Sequence, residues 1–185
     1  DGDLDLLVAN GHVHDKVQYI AGNEGIFYEQ PNQLFANEGG QFVDRSRTGG
    51  LSVDAYVSRG SAYGDYDNDG DLDVLVTNCN GPTQLLRNEL QTPANWISVK
   101  LVGTTTNRDA VGSRVSVTCA ERTQVREVRT SGSYASASDI RQHFGLGHCR
   151  TVERLEIIWH DGTVQDVDAG SVLINDHLTI HQRER

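Results

Sequence analysis

Long apolar runs are absent from this sequence. No segment approaches the about 20 consecutive apolar residues that a membrane-spanning helix requires, and no long stretch repeats apolar residues with helical periodicity. Valine, threonine and glycine recur in short runs instead. This pattern argues against a membrane span and predicts an all-β fold with many turns.

Basic residues are also scarce. The chain has 16 Lys and Arg against 26 Asp and Glu, which gives a formal net charge of -10 at pH 7. A nucleic-acid-binding protein carries a basic face, and electrostatic docking on anionic lipid needs clustered basic residues. The charge balance therefore argues against both partners and fits a cation-binding or secreted protein.

Cysteine occurs three times, at positions 79, 119 and 149, and no pair has the C-x-x-C spacing typical of a zinc site. Cys119 and Cys149 lie in the same C-terminal region. They pair if the compartment is oxidising, and otherwise they are buried thiols. Cys79 stands in the turn-like stretch TNCNG, where it is either free or paired with a partner outside this chain.

The sequence concentrates carboxylates in the stretch DYDNDGDLDVLV (65–76). Five of them alternate with other residues: Asp65, Asp67, Asp69, Asp71 and Asp73. Gly70 stands where the chain must turn sharply. Oxygen ligands at this spacing suit calcium, which accepts about six to eight oxygens. Without a cation, the carboxylates would raise one another's pKa and push the loop open.

This loop differs from an EF-hand, which closes on a Glu at its twelfth position. The sequence has Val76 there, and the residues after Asp73 have the pattern of a strand. We therefore predict a calcium loop that leads into a strand, with side-chain oxygens from Asp65, Asp67, Asp69 and Asp73 and the carbonyl of Asp71. The alternative is a solvated acidic turn, since Asp and Gly favour turns in any protein.

The chain opens on a second copy of this motif, because DGDLDLLVANG (1–11) matches DGDLDVLVTNCNG (69–81). The alignment places Asp1, Asp3 and Asp5 opposite Asp69, Asp71 and Asp73. Half of a second metal site is therefore predicted, whose other ligands come from a preceding segment or a neighbour. Since residue 1 falls inside a motif, we expect the chain to be part of a longer precursor.

The repeat continues beyond the acidic stretch, since NQLFANE (32–38) matches TQLLRNE (83–89). A unit of a few short strands buries its apolar face only by stacking on neighbouring units, as propeller blades do. Two partial units are too few to close a propeller. We expect the end of a longer array, whose N-terminal edge contacts the missing propeller segment or another chain.

The pattern changes near Thr92–Asn95, where the acidic loops stop. Apolar and polar residues then alternate in segments that read as half-buried strands: WISVKLVG (96–103), GSRVSVTC (112–119), TQVREVRTSG (123–132), VERLEIIWHDG (152–162) and HLTIHQ (177–182). We predict two domains, 1–91 with the repeats and 92–185 as a small β-sandwich.

Specific stretches resemble a known family. AYGDYDNDGDLDVLVTN followed by QLLRNE resembles the FG-GAP/VCBS-type repeats of the cartilage acidic protein family. NWISVKLVGTTTNRDAVGSRVSV, SGSYASASDIRQHFGLG and VERLEIIWHDGTVQ look like the ASPIC/UnbV domain that ends those proteins. The resemblance implies integrin-alpha-like propeller blades with calcium loops, metal positions at all five aspartates of 65–73, and a secreted location, either extracellular or periplasmic.

Two further clusters carry weaker signals. His12 and His14 form an H-x-H beside Asp15, which suits a transition metal, but an exposed loop is the favoured interpretation. Ser136, Ser138, Asp139, Arg141 and His143 include the residue types of a hydrolase. The segment lacks a G-x-S-x-G elbow, so we expect a hydrogen-bonded loop at the edge of the sandwich.

The aromatic residues divide into two groups. Trp96 and Trp159 stand on predicted strands, where packing is expected. Tyr19, Phe27 and Tyr28 lie in a long insertion and are better candidates for a binding surface, because functional residues concentrate on long loops.

The favoured function is a secreted, calcium-binding, non-enzymatic module that recognises a protein or glycan. One alternative is an accessory part of a biosynthetic or redox-metal enzyme that uses His12 and His14. The other is a structural assembly piece, since open edge strands invite pairing with another chain.

Overall fold

Strands dominate the residues that the computed structural model describes, which are 1–20, 22, 25–51, 54–90 and 93–184. Helical structure among them consists of two short 3-10 turns, Val17–Tyr19 and Ala169–Ser171. Within these ranges, no helix has the length and apolar character needed to cross a membrane. The predicted all-β class is confirmed.

The described N-terminal residues form three antiparallel sheets, with strand orders β1-β3-β4, β2-β5 and β6-β7-β8. The strands are β1 (Leu6–Val8), β2 (Gln30–Pro31), β3 (Gln33–Glu38), β4 (Gln41–Asp44), β5 (Ala55–Tyr56), β6 (Ser58–Gly64), β7 (Asp73–Asn78) and β8 (Gln84–Leu86). None of these sheets closes on itself within the described ranges.

The sequence repeat is also a structural repeat. β1 and β7 follow the two acidic stretches, and their partners β3 and β8 carry the two matching second strands. Leu7 pairs with Leu34 as Leu75 pairs with Leu85, so the two copies share one register. The first sheet has a further strand, β4, beside β3, and the second has a further strand, β6, beside β7. If the two shared strands carry both additions, the repeat unit has four strands, which is the size of a propeller blade.

The C-terminal part contains two sheets, ordered β11-β10-β13-β14 and β12-β9-β15. Their strands are β9 (Asn95–Val102), β10 (Arg114–Cys119), β11 (Arg122–Glu127), β12 (Gln142–Gly147), β13 (Arg154–Ile158), β14 (Val164–Val167) and β15 (Asp176–His181). β9 and β15 run parallel, whereas the other pairs in both sheets are antiparallel.

Alternating side chains from both sheets build one core. Val115 and Val117 of β10 are buried, as are Ile97 and Val99 of β9, and all four belong to a single apolar cluster. This packing of two sheets confirms the predicted sandwich. A disulfide between Cys119 and Cys149, with the Cα atoms 6.1 Å apart, ties the end of β10 to the loop after β12, whereas Cys79 is free and exposed.

The expected hydrogen-bonded loop at the sandwich edge is present over 136–141, outside the named strands. His143 instead lies in a strand, Gln142–Gly147, because Phe144 and Leu146 alternate into the core opposite β9. The strand expected over 123–132 ends at Glu127. The predicted domain boundary between residues 91 and 92 lies outside the described residues and stays a prediction.

The two parts meet along β6. The segment before β12 runs beside this strand: the Asp139 amide donates to the Tyr63 carbonyl at 2.9 Å, and the Tyr63 amide donates to Ser138 Oγ at 3.2 Å. An otherwise open edge of β6 is thereby covered by the C-terminal part. The acidic loop that follows β6 therefore lies next to the sandwich.

Candidate metal centre

Asp65 anchors the start of the acidic loop. Its carboxylate is 3% exposed, and its two oxygens accept the amide protons of Asp69 and Gly70, each at 3.1 Å. Gly70 has a φ of 98° and Asn68 a φ of 62°, so the chain turns through two left-handed positions. The turn directs main-chain amides of the loop back onto its first carboxylate.

Asp73 fixes the other end, at the first residue of β7. It is also 3% exposed. One carboxylate oxygen accepts the Asn88 amide proton at 2.8 Å, and the other accepts the Tyr66 amide proton at 3.2 Å. The loop is therefore tied both to itself and to the segment after β8.

The turn brings together three of the predicted ligands. Asp65, Asp67 and Asp73 offer ligand atoms that all lie within 4.8 Å of one another. Asp67 Oδ1 is buried and has no hydrogen-bond partner among the described residues. A buried carboxylate oxygen without a donor is costly, and a cation would satisfy it. An all-oxygen donor set suits calcium or magnesium rather than zinc.

Asp69 and Asp71 lie outside this triad. Asp69 is exposed, and its carboxylate accepts the Asp71 amide proton at 3.0 Å. The pKa of Asp71 is raised by burial and, in addition, by repulsion from the neighbouring carboxylates. The predicted use of the Asp71 carbonyl and of the Asp69 side chain stays a prediction.

Arg87 supplies positive charge beside the loop. Its Nε lies 2.7 Å from Asp67 Oδ2, and its guanidinium also pairs with Glu89 at 2.9 Å. The side chain is half-exposed, so solvent screens the pair. One shared guanidinium leaves most of the charge of the five carboxylates uncompensated.

The N-terminal copy reproduces the second half of the loop. The Asp3 amide donates to Asp1 at 2.9 Å, and the Asn37 amide donates to Asp5 at 2.8 Å, as their counterparts do in the full loop. Gly2 has a φ of 94°. Among the described residues, Asp1, Asp3 and Asp5 are not part of a group of three converging ligand atoms, so a metal at these residues stays a prediction.

The sandwich contributes residues that sequence reasoning did not assign to this site. Arg141 donates to the Asp65 carbonyl at 2.5 Å, His177 Nε2 lies 3.6 Å from Asp65 Oδ2, and Trp96 packs on Gly70. Arg141 and Trp96 were both noticed in the sequence, but their spacing gives no sign of contact with a loop so far away in the chain.

His12 and His14 do not form a metal site with other described residues. His12 Nδ1 accepts the His14 amide proton at 3.0 Å, and His14 Nδ1 accepts the Lys16 amide proton at 3.1 Å. Each ring therefore stabilises a local turn, in agreement with the favoured interpretation of an exposed loop.

The serine and histidine residues near β12 have structural partners. Ser136 Oγ donates to the Tyr134 carbonyl at 2.8 Å, and Ser138 Oγ accepts from Tyr63. The His143 ring stacks on Trp96, with the ring centroids 5.8 Å apart. Burial, with nearby positive charge, lowers the pKa of His143 to about 4. Of these contacts, the one between Ser138 and Tyr63 joins the two parts, and none of them pairs a nucleophile with a base.

The aromatic predictions have separate outcomes. Trp159 is buried in the core and donates from Nε1 to Gln165 at 3.1 Å, which confirms packing. Tyr19 is 80% exposed and Phe27 is 59% exposed, whereas Tyr28 is half-buried. A binding surface at the first two stays a prediction.

Comparison with known proteins matches both parts of the chain. The FG-GAP-like repeat family matches residues 1–76, and the ASPIC and UnbV family matches residues 103–185. Cartilage acidic protein 1 of Mus musculus is 41% identical over 56 residues, which cover 30% of this chain and 9% of that protein. The chain carries an FG-GAP-like repeat followed by an ASPIC and UnbV domain, which confirms the resemblance seen in the sequence.

Proposed function

We propose that this chain, an FG-GAP-like repeat segment joined to an ASPIC and UnbV domain, belongs to a secreted, non-enzymatic module that binds calcium and recognises a protein or glycan. The observation that carries the calcium part is the cluster of Asp65, Asp67 and Asp73, whose ligand atoms lie within 4.8 Å of one another.

The roles of the residues follow from their contacts. Asp65 and Asp73 are held in place by main-chain amides, so little ordering remains when the cation binds. Asp67 brings a buried oxygen that has no donor among the described residues. Asp69 and the Asp71 carbonyl complete the proposed ligand set. A bound calcium ion supplies the positive charge that offsets carboxylate repulsion.

Calcium has a structural role in this proposal. The loop connects β6 to β7, so fixing it stabilises the strand pair that follows. Binding to the folded state alone becomes folding free energy. Extracellular modules bind calcium with dissociation constants of about 0.1–1 mM, and we expect this range here.

Secretion is supported by the disulfide between Cys119 and Cys149, since such bonds persist in oxidising compartments, including the extracellular space and the periplasm. The similar mouse protein is named for cartilage. A recognition role rather than catalysis is supported by the serine and histidine contacts near β12, which are structural.

Two surfaces are proposed for partners. Tyr19 and Phe27 expose aromatic rings in the long insertion, where a protein or glycan can stack. β1 is an edge strand with exposed Leu4 and Leu6 nearby, so a preceding propeller segment or another chain pairs there. Glycan-array binding that is lost in both Tyr19→Ala and Phe27→Ala would support the first surface, and unchanged binding would contradict it.

Thermal unfolding in EDTA, calcium and magnesium tests the calcium proposal. For dissociation constants in the expected range, 10 mM calcium should stabilise the protein by about 1.4 to 2.7 kcal/mol, with a smaller effect of magnesium. Equal melting temperatures in all three solutions would contradict it. Stoichiometric copper or iron, lost in His12→Ala and His14→Ala, would instead support the redox-enzyme alternative.

A further inference from the structure

Arg141 connects the sandwich to the acidic loop through two hydrogen bonds. Its Nη2 donates to the main-chain carbonyl of Asp65 at 2.5 Å, and its Nη1 donates to Asn68 Oδ1 at 2.7 Å. Both acceptors belong to the loop, one at its first residue and the other at its left-handed turn. The guanidinium can therefore make both hydrogen bonds only when the loop is folded.

Asp139 holds the guanidinium in this orientation. Arg141 Nε donates to Asp139 Oδ2 at 2.6 Å, and the Arg141 amide donates to Asp139 Oδ1 at 2.9 Å. Both side chains are largely buried, and the two hydrogen bonds fix the orientation of the guanidinium. Because Asp139 neutralises the guanidinium, Arg141 can orient the loop without repelling a cation bound in it.

Two aromatic rings complete the contact. A Cβ atom on Gly70 would lie 2.0 Å from Trp96 Nε1, so the indole rests directly on the loop backbone. The His177 ring packs against Trp96, with centroids 4.9 Å apart. Trp96 lies in β9, His177 in β15, and Arg141 immediately before β12. All three belong to the sheet β12-β9-β15 or to the segment that enters it, and all three lie outside the core cluster; we call them the loop seat.

The N-terminal copy also contacts the sandwich through an arginine, at a different position of the loop, because Asp1 corresponds to Asp69 and not to Asp65. Arg122 of β11 donates to the Asp1 carbonyl at 3.0 Å and forms an ion pair with Asp3. A Cβ atom on Gly2 would meet the Gly145 carbonyl at 2.5 Å. In both copies, an arginine of the sandwich donates to a loop carbonyl, and the loop glycine packs on the same domain. A recurring arrangement argues against an accidental contact at one loop.

We infer that the loop seat positions the calcium loop, so that calcium binding and docking of the C-terminal sandwich are thermodynamically coupled; this inference rests on the proposed calcium site. The carbonyl that Arg141 binds and a carboxylate of the metal cluster both belong to Asp65. When repulsion among the carboxylates opens the loop, the acceptors of Arg141 separate. Calcium binding therefore favours docking of the sandwich, and docking favours calcium binding by the same free energy.

Calcium titration by calorimetry of Arg141→Ala tests this coupling. We expect a calcium affinity about 5- to 30-fold weaker than that of the wild type. Arg154→Ala is the matched control, because Arg154 is an exposed sandwich arginine paired with Glu156 and Asp166. Its affinity should equal that of the wild type. Equal calcium affinities of Arg141→Ala and the wild type would overturn the inference.

Hydrogen exchange of the wild type gives a second readout that needs no variant. The amides of Asp139 and Tyr63 form the interdomain contacts beside β6, and calcium should slow their exchange relative to EDTA. Unchanged exchange despite calcium binding would overturn the coupling while the proposed site stands. If the wild type binds no calcium, the proposed function itself fails, and the inference fails with it.

Discussion

The indole of Trp96 lies on the backbone of Gly70, so closely that a Cβ atom at this position would come within 2.0 Å of Trp96 Nε1. Gly70 also has a φ of 98°, a conformation that side chains with a Cβ rarely adopt. The turn of the acidic loop and its contact with the sandwich therefore depend on the same glycine.

Gly70→Ala should lower the free energy of unfolding by about 2–4 kcal/mol, because left-handed strain and a collision with Trp96 act together. Chemical denaturation in excess calcium measures the loss. Gly132→Ala is the control, since Gly132 has no heavy atom within 4 Å of a Cβ position and no positive φ. Equal stability of the two variants would contradict the packing described at Gly70.

The buried His143 should make stability depend on pH. Its pKa is about 4 in the folded protein, against 6.5 for the ordinary side chain, mainly through burial. The unfolded state therefore binds more protons between these values. The contribution of His143, about 3 kcal/mol, is complete above pH 6.5 and is lost as the pH falls toward 4.

Denaturation in EDTA across this pH range measures the effect without metal-linked protonation. His143→Phe should reduce the slope of the unfolding free energy against pH by up to about 1.4 kcal/mol per pH unit. His148→Gln, at an exposed position, should retain the slope of the wild type. An unchanged slope in His143→Phe would show that another group titrates. The titratable or charged groups that act on this ring are Arg126, His177, Arg141 and the amino group of Asp1.

Reduction of the Cys119–Cys149 disulfide should destabilise the sandwich. The bond closes a chain segment with a sequence separation of 30 residues, and a loop of this length corresponds to about 3–4 kcal/mol of stabilisation. Unfolding with and without reductant, together with a free-thiol assay, measures the loss. Cys79→Ser should respond as the wild type does, because Cys79 is free and exposed. Equal stability of the oxidised and reduced protein would contradict this prediction.

The acidic loop was predictable because the residues that determine its conformation are close together in the sequence. The spacing of Asp65, Asp67 and Asp73 and the glycine between them specify a turn whose carboxylates converge. The repeat was equally readable, since matching residues in the two copies occupy the same strand register. What the sequence did not indicate is that Asp69 and Asp71 lie outside the carboxylate cluster.

The loop seat was not predictable in this way. Arg141 and Asp65 are 76 residues apart in the sequence, and nothing in the spacing of Trp96 or His177 assigns them to an acidic loop. β12 was not predicted as a strand, although the alternation of Phe144 and Leu146 was a signal for one. Its pairing with β9 decides the conformation, and such long-range pairing is absent from a local pattern.

Calcium titration by calorimetry of the wild type and Asp67→Asn tests the central claim most directly. Asn removes one charge and one anionic oxygen, while Asp65 and Asp73 keep their main-chain partners. We predict calcium binding by the wild type and by Asp109→Asn, an exposed control, and affinity at least about tenfold weaker in Asp67→Asn. No binding by the wild type, or equal binding by Asp67→Asn, would contradict the account.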